Sequence, residues 1–334
     1  MIYFDNAATT FPHDVWENWP NKGEKLWFNS NAGYAYKSAQ TIEECRERIR
    51  NCLGIRNGKI IFTRCATESA ELFSKLWRGD INCSMKEHDS VHDLWREGIG
   101  VEVWIQQTVN QVTGEVFDIE RISKEHKFIA LDMTAGIGKV DTEIPSNCPA
   151  AWFSGHKFHG PHLGVLWLRD DFANEFATED SRNQYDILHG TLDCPRIVAL
   201  ANALEEATNF DALRSRNKTL LNLSTYLYKK IYDNNLGKLV SNDFARTDAI
   251  ASYVLNDINA DAIQQYLAAR DIYIGIGASA CAGSHDYRVL RNGYGISNDD
   301  AQRAIRISFD SENTTQEIDG LIDAVKDFRG IFLK

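Results

Sequence analysis

A lysine placed just beyond a short apolar run is well situated for covalent chemistry. Lys157 holds such a place in AAWFSGHK, and Asp132 closes an earlier apolar run, KFIALD, 25 positions upstream. A neutral lysine amine can form an imine with a carbonyl, and desolvation near other cations lowers a lysine pKa toward neutrality. Thr67 follows another apolar run, KIIFT at 59 to 63. Arg306 stands in the alternating segment AIRISF. An arginine there can grip a carboxylate through two parallel hydrogen bonds. Cys281 lies in GIGASACAGS, a Gly- and Ser-rich setting that suits a mobile loop. Its thiolate, not its thiol, would be the nucleophile.

The elements that must position these groups follow from periodicity. Residues 36 to 53 carry apolar or small residues at helical spacing with charges between, which predicts an amphipathic helix. The spacing predicts a strand over 59 to 63 and a helix over 67 to 77. Apolar runs at 127 to 132, 150 to 154 and 164 to 168 read as further strands. Strands alternating with helices indicate an α/β domain with a mostly parallel sheet. In such sheets ligands collect at the carboxyl ends of strands. Asp132 and the Ser154 to Lys157 run stand at such ends. Twenty-five positions suffice for one crossover between neighbouring parallel strands.

The second half reads differently. One or two long helices are expected over 196 to 233. The alternating segments ASYVLND and AIRISF follow, separated by a helix over 259 to 270. The reading is a large α/β domain over 12 to 208. A small α+β domain takes 209 to 334, with residues 1 to 11 assigned to it although they could pack with either unit.

Composition narrows the function classes. The chain has 334 residues, 43% hydrophobic and 25% charged, which is ordinary for a soluble protein. A net charge of -11 and a pI near 5.3 give no electrostatic reason to bind nucleic acid. No run approaches the ~18 apolar residues a membrane helix needs. The opening MIYFDNAATT does not read as a signal peptide. Seven scattered cysteines, without a CxxC pair, fit a reducing cytoplasm.

Together these groups match the needs of one cofactor, pyridoxal 5′-phosphate (PLP). It requires a lysine for the imine, an acid facing the pyridine nitrogen, and hydroxyls and helix-start amides for the phosphate dianion. An aromatic cover over the ring and an arginine for the substrate carboxylate complete the set.

At these residues the sequence resembles the cysteine desulfurases, in the class V aminotransferase group of fold-type I PLP enzymes. The segments that carry the resemblance are YFDNAATT at the start, FTRCATES at 62 to 69, KEHDSV at 86 to 91 and FSGHKFHGPHLGVLWLR at 153 to 169. HGTLDCPRIVAL at 189 to 200, SACAGS at 279 to 284 with VLR at 289 to 291, and AIRISF with TTQEID continue it. The resemblance implies that Lys157 forms the Schiff base and moves the Cα proton. Asp132 would pair with the pyridine nitrogen, and His88 would stack on the ring. The Ala66 amide, Thr67, Ser154 and His156 would hold the phosphate, with Thr191 contributed by the other subunit of a homodimer. Arg306 would bind the substrate carboxylate. Cys281 would take sulfur from L-cysteine as a persulfide, leaving alanine, for delivery to an acceptor.

The sequence departs from the family at several points. A glutamine usual three residues after the aspartate is Ala135 here, and Cys65 stands where glycine is common. The segment from 102 to 131 is about thirty residues shorter than usual, the size of one strand-plus-helix unit. VNQVTGEVFDI can be aligned in two ways, which leaves a cofactor-touching asparagine unplaced. The short stretch after Cys281 brings His285 and Asp286 into consideration for its thiol pKa.

Other readings stand beside this one. The same cofactor could serve a lyase or aminotransferase-like reaction on another amino acid, including selenocysteine. HKFHGPH, or His88 with His92, could suggest a metal, but Gly and Pro break any common helical face in the first and no carboxylate follows at useful spacing. IYIGIGASA suggests a dinucleotide turn but lacks the third glycine and the later acid. A scaffold without chemistry is disfavoured by the intact Lys157, Asp132 and Arg306.

Overall fold

The computed structural model describes residues 1–12, 35–241, 243–277 and 287–332. Eleven strands form two sheets among these residues. They are β1 (Ile2–Phe4), β2 (Lys59–Thr63), β3 (Ile81–Cys83), β4 (Val103–Gln107), β5 (Ile129–Asp132), β6 (Ala150–Ser154), β7 (Gly164–Leu168), β8 (Gly237–Leu239), β9 (Ile250–Leu255), β10 (Ile272–Ile276) and β11 (Ala304–Ser308).

The larger sheet has the order β2-β7-β6-β5-β4-β3. β3, β4, β5 and β6 pair in parallel, whereas β7 runs antiparallel to both β6 and β2. Two reversals restore the direction, so β2 points the same way as β6. Five of these six strands therefore present their carboxyl ends along one rim, the rim at which an α/β sheet binds its ligand. The expected crossover is present: Asp132 of β5 lies opposite Trp152 of β6. The link between them is made of turns rather than a helix.

This sheet is buried on both faces, and alternation decides which side chain goes where. Ile60, Phe62, Ile129, Leu131, Phe153, Val165 and Trp167 pack under the helices Tyr36–Cys52 and Cys194–Thr208. Their neighbours Ile61, Ala130, Trp152, Leu166 and Leu168 pack on the other side, with Phe73 of the helix Ala66–Leu76. A strand covered on both faces reads as a continuous apolar run, which is why KIIFT and GVLWL show no polar alternation.

β2 is an edge strand, and side chains cover its free edge: Arg46 donates to Ile60 O at 3.1 Å, and Gln184 takes both groups of Phe62. Gln184 accepts from the Phe62 N–H at 2.6 Å and donates to the Phe62 carbonyl at 3.0 Å. Gln184, Tyr185 and Asp186 all carry positive φ (50°, 59° and 59°), an unfavourable run that this double bond helps to hold. Gln184→Ala would leave two buried backbone groups unpaired. It should cost about 1–3 kcal/mol, read as a lower urea midpoint at unchanged slope.

The smaller sheet has the order β1-β10-β11-β9-β8, with β1 parallel to β10 and the other pairs antiparallel. Helices Phe210–Asp233, Ala260–Ala268 and Thr315–Phe332 bury their apolar stripes against it through Leu223, Leu227, Ile263, Ile318 and Phe328. The long helical stretch is two helices because Asn209 interrupts it. Its side chain accepts from Ala212 N at 3.0 Å and caps the second helix. Residues 1–12 join the two sheets. β1 belongs to the smaller sheet, whereas Thr10 N donates to His156 O at 2.9 Å beside the larger one. No helix among the described residues is long and apolar enough to cross a membrane.

Candidate active site

A cavity of about 260 Å³ opens at the carboxyl rim of the larger sheet. Each of its functional side chains arrives from a strand end. Asp132 closes β5, Lys157 follows β6 by one tight turn, Thr67 sits in the first turn after β2, and His88 follows β3.

Lys157 Nζ donates to the carbonyls of Ala7 and Ala8, each at 2.7 Å. Burial, then the positive charges of Arg306 and Lys139, hold its pKa down to about 8, against the pull of Asp5 and Asp132. The amine is thus close to the neutral form that attacks a carbonyl. Asp132 is buried, and its Oδ1 accepts from Thr134 N at 2.8 Å.

His88 caps the short helix Asp89–His92. Its Nδ1 accepts from Ser90 N at 3.1 Å and lies 2.8 Å from the Ser90 hydroxyl. An Nδ1 that accepts puts the ring proton on Nε2. Burial, with Lys157 and Arg288, lowers the His88 pKa despite Asp132 and Asp89. His156 also lines the cavity. Burial and the charges of Lys157 and His162 push it down to about 4, so it meets a ligand as a neutral donor.

Arg306 of β11 is 3% exposed. It donates to Asp5 Oδ1 at 2.6 Å and to Gln111 O at 3.1 Å, while its buried Nε has no partner. Gly275 lies opposite it in β10. A Cβ on Gly275 would stand 2.7 Å from both Arg306 Nε and Asp5 Oδ1, so the guanidinium occupies the space a side chain would take.

One of the sequence-derived cofactor contacts of this chain's own site lies elsewhere. Ser154 is buried outside the cavity lining, and its hydroxyl donates to Leu163 O at 3.4 Å. Thr191 is exposed, ahead of the helix Cys194–Thr208, and does not line the cavity. Cys281, His285 and Asp286 lie outside the described residues. Ala135, the site of the missing glutamine, lines the cavity with no polar group to offer.

Several groups escaped the sequence reading. Asp5 sits in the quoted YFDNAATT but had no role assigned before its pairing with Arg306 was visible. Glu87 directly precedes His88 and is fully buried. It accepts from Gln107 N at 2.8 Å, while its Oε2 has no partner and burial raises its pKa well above the carboxylate range. Gln111 lines the cavity with its Oε1 buried and unpaired. Nothing local marks these residues, because their burial depends on segments far away in the chain.

The residues present fit PLP. The cavity joins a near-neutral lysine to a buried carboxylate, and neither is sealed off by an internal partner that a ligand could not share. The helix Ala66–Leu76 starts at the cavity with no side-chain cap from Cys65, leaving its first amides for an anion. Among the described residues no group of three or more His, Cys, Asp or Glu is arranged to hold a metal. β10, which carries Gly275 of the dinucleotide-like segment, lies in the smaller mixed sheet.

Known proteins give the same picture. Two solved structures superpose along the whole chain. One is described as a NifS-like protein, with TM-score 0.84 and 21% identity over 99% of this chain and 100% of that one. The other is a NifS-like protein from Rickettsia africae ESF-5, with TM-score 0.85 and 23% identity over 100% of both chains. Both show the fold, that of the fold-type I PLP enzymes. Among curated proteins, the chain is 24% identical to a cysteine desulfurase IscS of Rickettsia africae over 97% of its length and 90% of the relative's. It is 25% identical to a putative cysteine desulfurase NifS of Bacillus subtilis over 96% and 93%. The family model for aminotransferase class V matches residues 2–98 and 100–321. With that span matched, and with Lys157, Asp132 and His88 meeting at one rim, the chain belongs to the class-V aminotransferase family.

Proposed function

We propose that this protein is a PLP-dependent cysteine desulfurase, converting L-cysteine to L-alanine and passing the sulfur to Cys281 as a persulfide. The observation that carries the reading is the meeting of a near-neutral Lys157 and a buried Asp132 in one cavity beside the buried Arg306. The relatives' names supply the substrate. When bound, the cofactor supplies an electron sink for negative charge at the substrate Cα.

The chain's own groups do the rest. Lys157 would anchor the cofactor and move the Cα proton. Asp132 would pair with the pyridine nitrogen, and His88, with its single proton on Nε2, would lie against the ring. Thr67, His156 and the Ala66 amide would hold the phosphate, and Arg306 would hold the substrate carboxylate. The Cys281 thiolate attacks the substrate sulfur; the new S–S bond forms as the C–S bond breaks, and alanine leaves after protonation at carbon. Among the described cysteines, burial pushes Cys45 up to about 11 and Cys83, Cys148 and Cys194 up to about 12. Thiols held that far from ionisation are poor nucleophiles; Cys65 also lines the cavity, and it is the resemblance of SACAGS to the family's cysteine segment that favours Cys281 for the task.

The exposed Thr191 suits a homodimer in which it reaches the neighbour's phosphate. A cytoplasmic enzyme that hands its sulfur to an acceptor protein or small molecule completes the reading. One observation favours a second one: Ala135 offers the ring no hydrogen bond. A changed electronic setting suits a lyase or aminotransferase-like reaction on another amino acid, selenocysteine among them.

The test is absorbance of the PLP-loaded protein before and after L-cysteine, for wild type and Cys281→Ala. The expected result is a yellow protein whose band shifts in both. Wild type alone accumulates persulfide and releases sulfide on reduction. Alanine formed equally well by the variant would move the function to the second reading, and a protein that cannot be loaded with PLP would overturn both.

A further inference from the structure

The turn that carries His88 is gripped from a distant part of the chain. Arg288, just ahead of the helical turn Val289–Gly293, donates through Nη1 to Met85 O at 2.8 Å. Through Nη2 it donates to Glu87 O at 2.6 Å and to Asp89 Oδ1 at 2.7 Å. The carbonyl between them, Lys86 O, accepts from Gln107 at 2.6 Å and Asn110 at 2.8 Å. Three successive carbonyls ahead of His88 are thus held by side chains from elsewhere. Gly293 packs against the same backbone, where an added Cβ would meet Lys86 Cα at 3.2 Å and Met85 O at 3.2 Å.

This grip matters because of what His88 does locally. Its Nδ1 accepts from Ser90 N, and a proton on Nδ1 would face that N–H and break the cap. The backbone cap therefore requires an unprotonated Nδ1, and a proton there would trade the Ser90 N–H for the Ser90 hydroxyl at 2.8 Å. Arg288 is 11% exposed in its side chain and joins both flanks of the turn, the carbonyls before His88 and the carboxylate after it.

We propose that Arg288 is the positioning residue for His88: by tying Met85, Glu87 and Asp89 together it fixes the turn in which His88 stays neutral and presents only Nε2–H to the cavity. The inference rests on the reading of His88 as the residue that faces the cofactor. The charged and titratable neighbours of His88 are Asp132, Lys157, Asp89 and Arg288, with the buried Glu87 alongside. Loss of Arg288 removes a positive charge and one partner of the Asp89 carboxylate. Both changes favour the imidazolium.

The test is histidine side-chain 15N NMR across pH on the full-length protein, with and without PLP. Wild type, Arg288→Met and Arg288→Lys are compared, and His88→Gln identifies the signal. In wild type His88 should remain the Nε2–H tautomer with a proton affinity below that of an ordinary histidine. In Arg288→Met that affinity should rise roughly tenfold, one pKa unit, and the tautomers should mix. Arg288→Lys should restore the affinity in part, since lysine keeps the charge, but not the tautomer, since it cannot fork to three acceptors. If Arg288→Met fails to fold, the tautomer of Arg288→Lys decides alone. An unchanged His88 titration and tautomer in a folded variant would overturn the inference, leaving Arg288 as a brace only. The signal can be read whether or not PLP binds, so a failure of the cofactor reading shows separately, as a protein that cannot be loaded.

Discussion

Lys157→Ala should abolish covalent capture of PLP and lower turnover by a factor on the order of 10³ or more, the scale expected when the covalent partner itself is removed. Borohydride treatment followed by mass spectrometry should find a pyridoxyl adduct on wild type and none on the variant. The wild-type capture rate should rise with pH and level off above about 8, the value to which burial and the Arg306 and Lys139 charges lower this amine. At pH 7.5 an ordinary lysine is neutral in roughly one molecule in a thousand, and one titrating near 8 in roughly one in four. The same shift has a sign for stability. A lysine whose pKa falls on folding binds its proton less tightly in the folded state. Its charge therefore works against the fold at pH values below 8, and the cost fades as pH rises toward the ordinary lysine value. The alanine variant should melt no lower than wild type at neutral pH, despite losing two hydrogen bonds to Ala7 and Ala8. A variant that still forms the adduct would place the Schiff base elsewhere.

Arg306→Met should damage both stability and substrate selection. The guanidinium is buried and paired with Asp5 at 2.6 Å. Breaking a buried pair costs 3–5 kcal/mol. Asp5 keeps some solvent contact, 22% of its side chain, so about 2–4 kcal/mol is the expectation here. Arg306 gives one hydrogen bond to Asp5 and one to Gln111 O, and its Nε is free. Enough donors remain for a substrate carboxylate to share the site. Losing them should lower kcat/KM for L-cysteine by about 10²–10³, the worth of a charge-assisted double hydrogen bond. The decisive measurement compares L-cysteine with cysteamine, which has the same amine and thiol but no carboxylate. Wild type should prefer L-cysteine strongly, and the variant should lose most of that preference. An unchanged ratio would mean that Arg306 serves the fold through Asp5 and does not touch substrate. Arg306→Lys should recover little, because a single ammonium cannot reproduce the planar fork.

Three of the five rim strands, and the reversed β7, were legible because their signal is local, whereas β3 and β4 were not read from the sequence. KIIFT, IALD, AAWFS and GVLWL are short apolar runs, and a two-faced buried strand needs nothing more to be recognised. The helices at 36–52 and 66–76 were legible for the same reason, through apolar residues at helical spacing. The reversed direction of β7 was not. A strand's own residues do not say which way its neighbour runs; the short return through Pro161 does, once β6 and β7 are seen to pair. Gln184 was invisible too. A glutamine in a polar surface stretch gives no sign that it closes a strand edge 122 positions earlier.

Among the candidate site residues the same division holds. The sequence by itself determined the reactive types and their order: a lysine after SGH, an aspartate ending a strand, an arginine in an alternating strand and a cysteine among glycines. Side-chain chemistry and strand periodicity are properties of neighbouring residues, so they survive without the fold. Only the tertiary structure decided which of these groups meet. It brought His88 to the cavity with its Nδ1 committed to Ser90, turned Ser154 away into the protein, and set Asp5 against Arg306 across 301 positions. It also lowered the Lys157 pKa, because desolvation and charge proximity depend on which distant segments close over a residue.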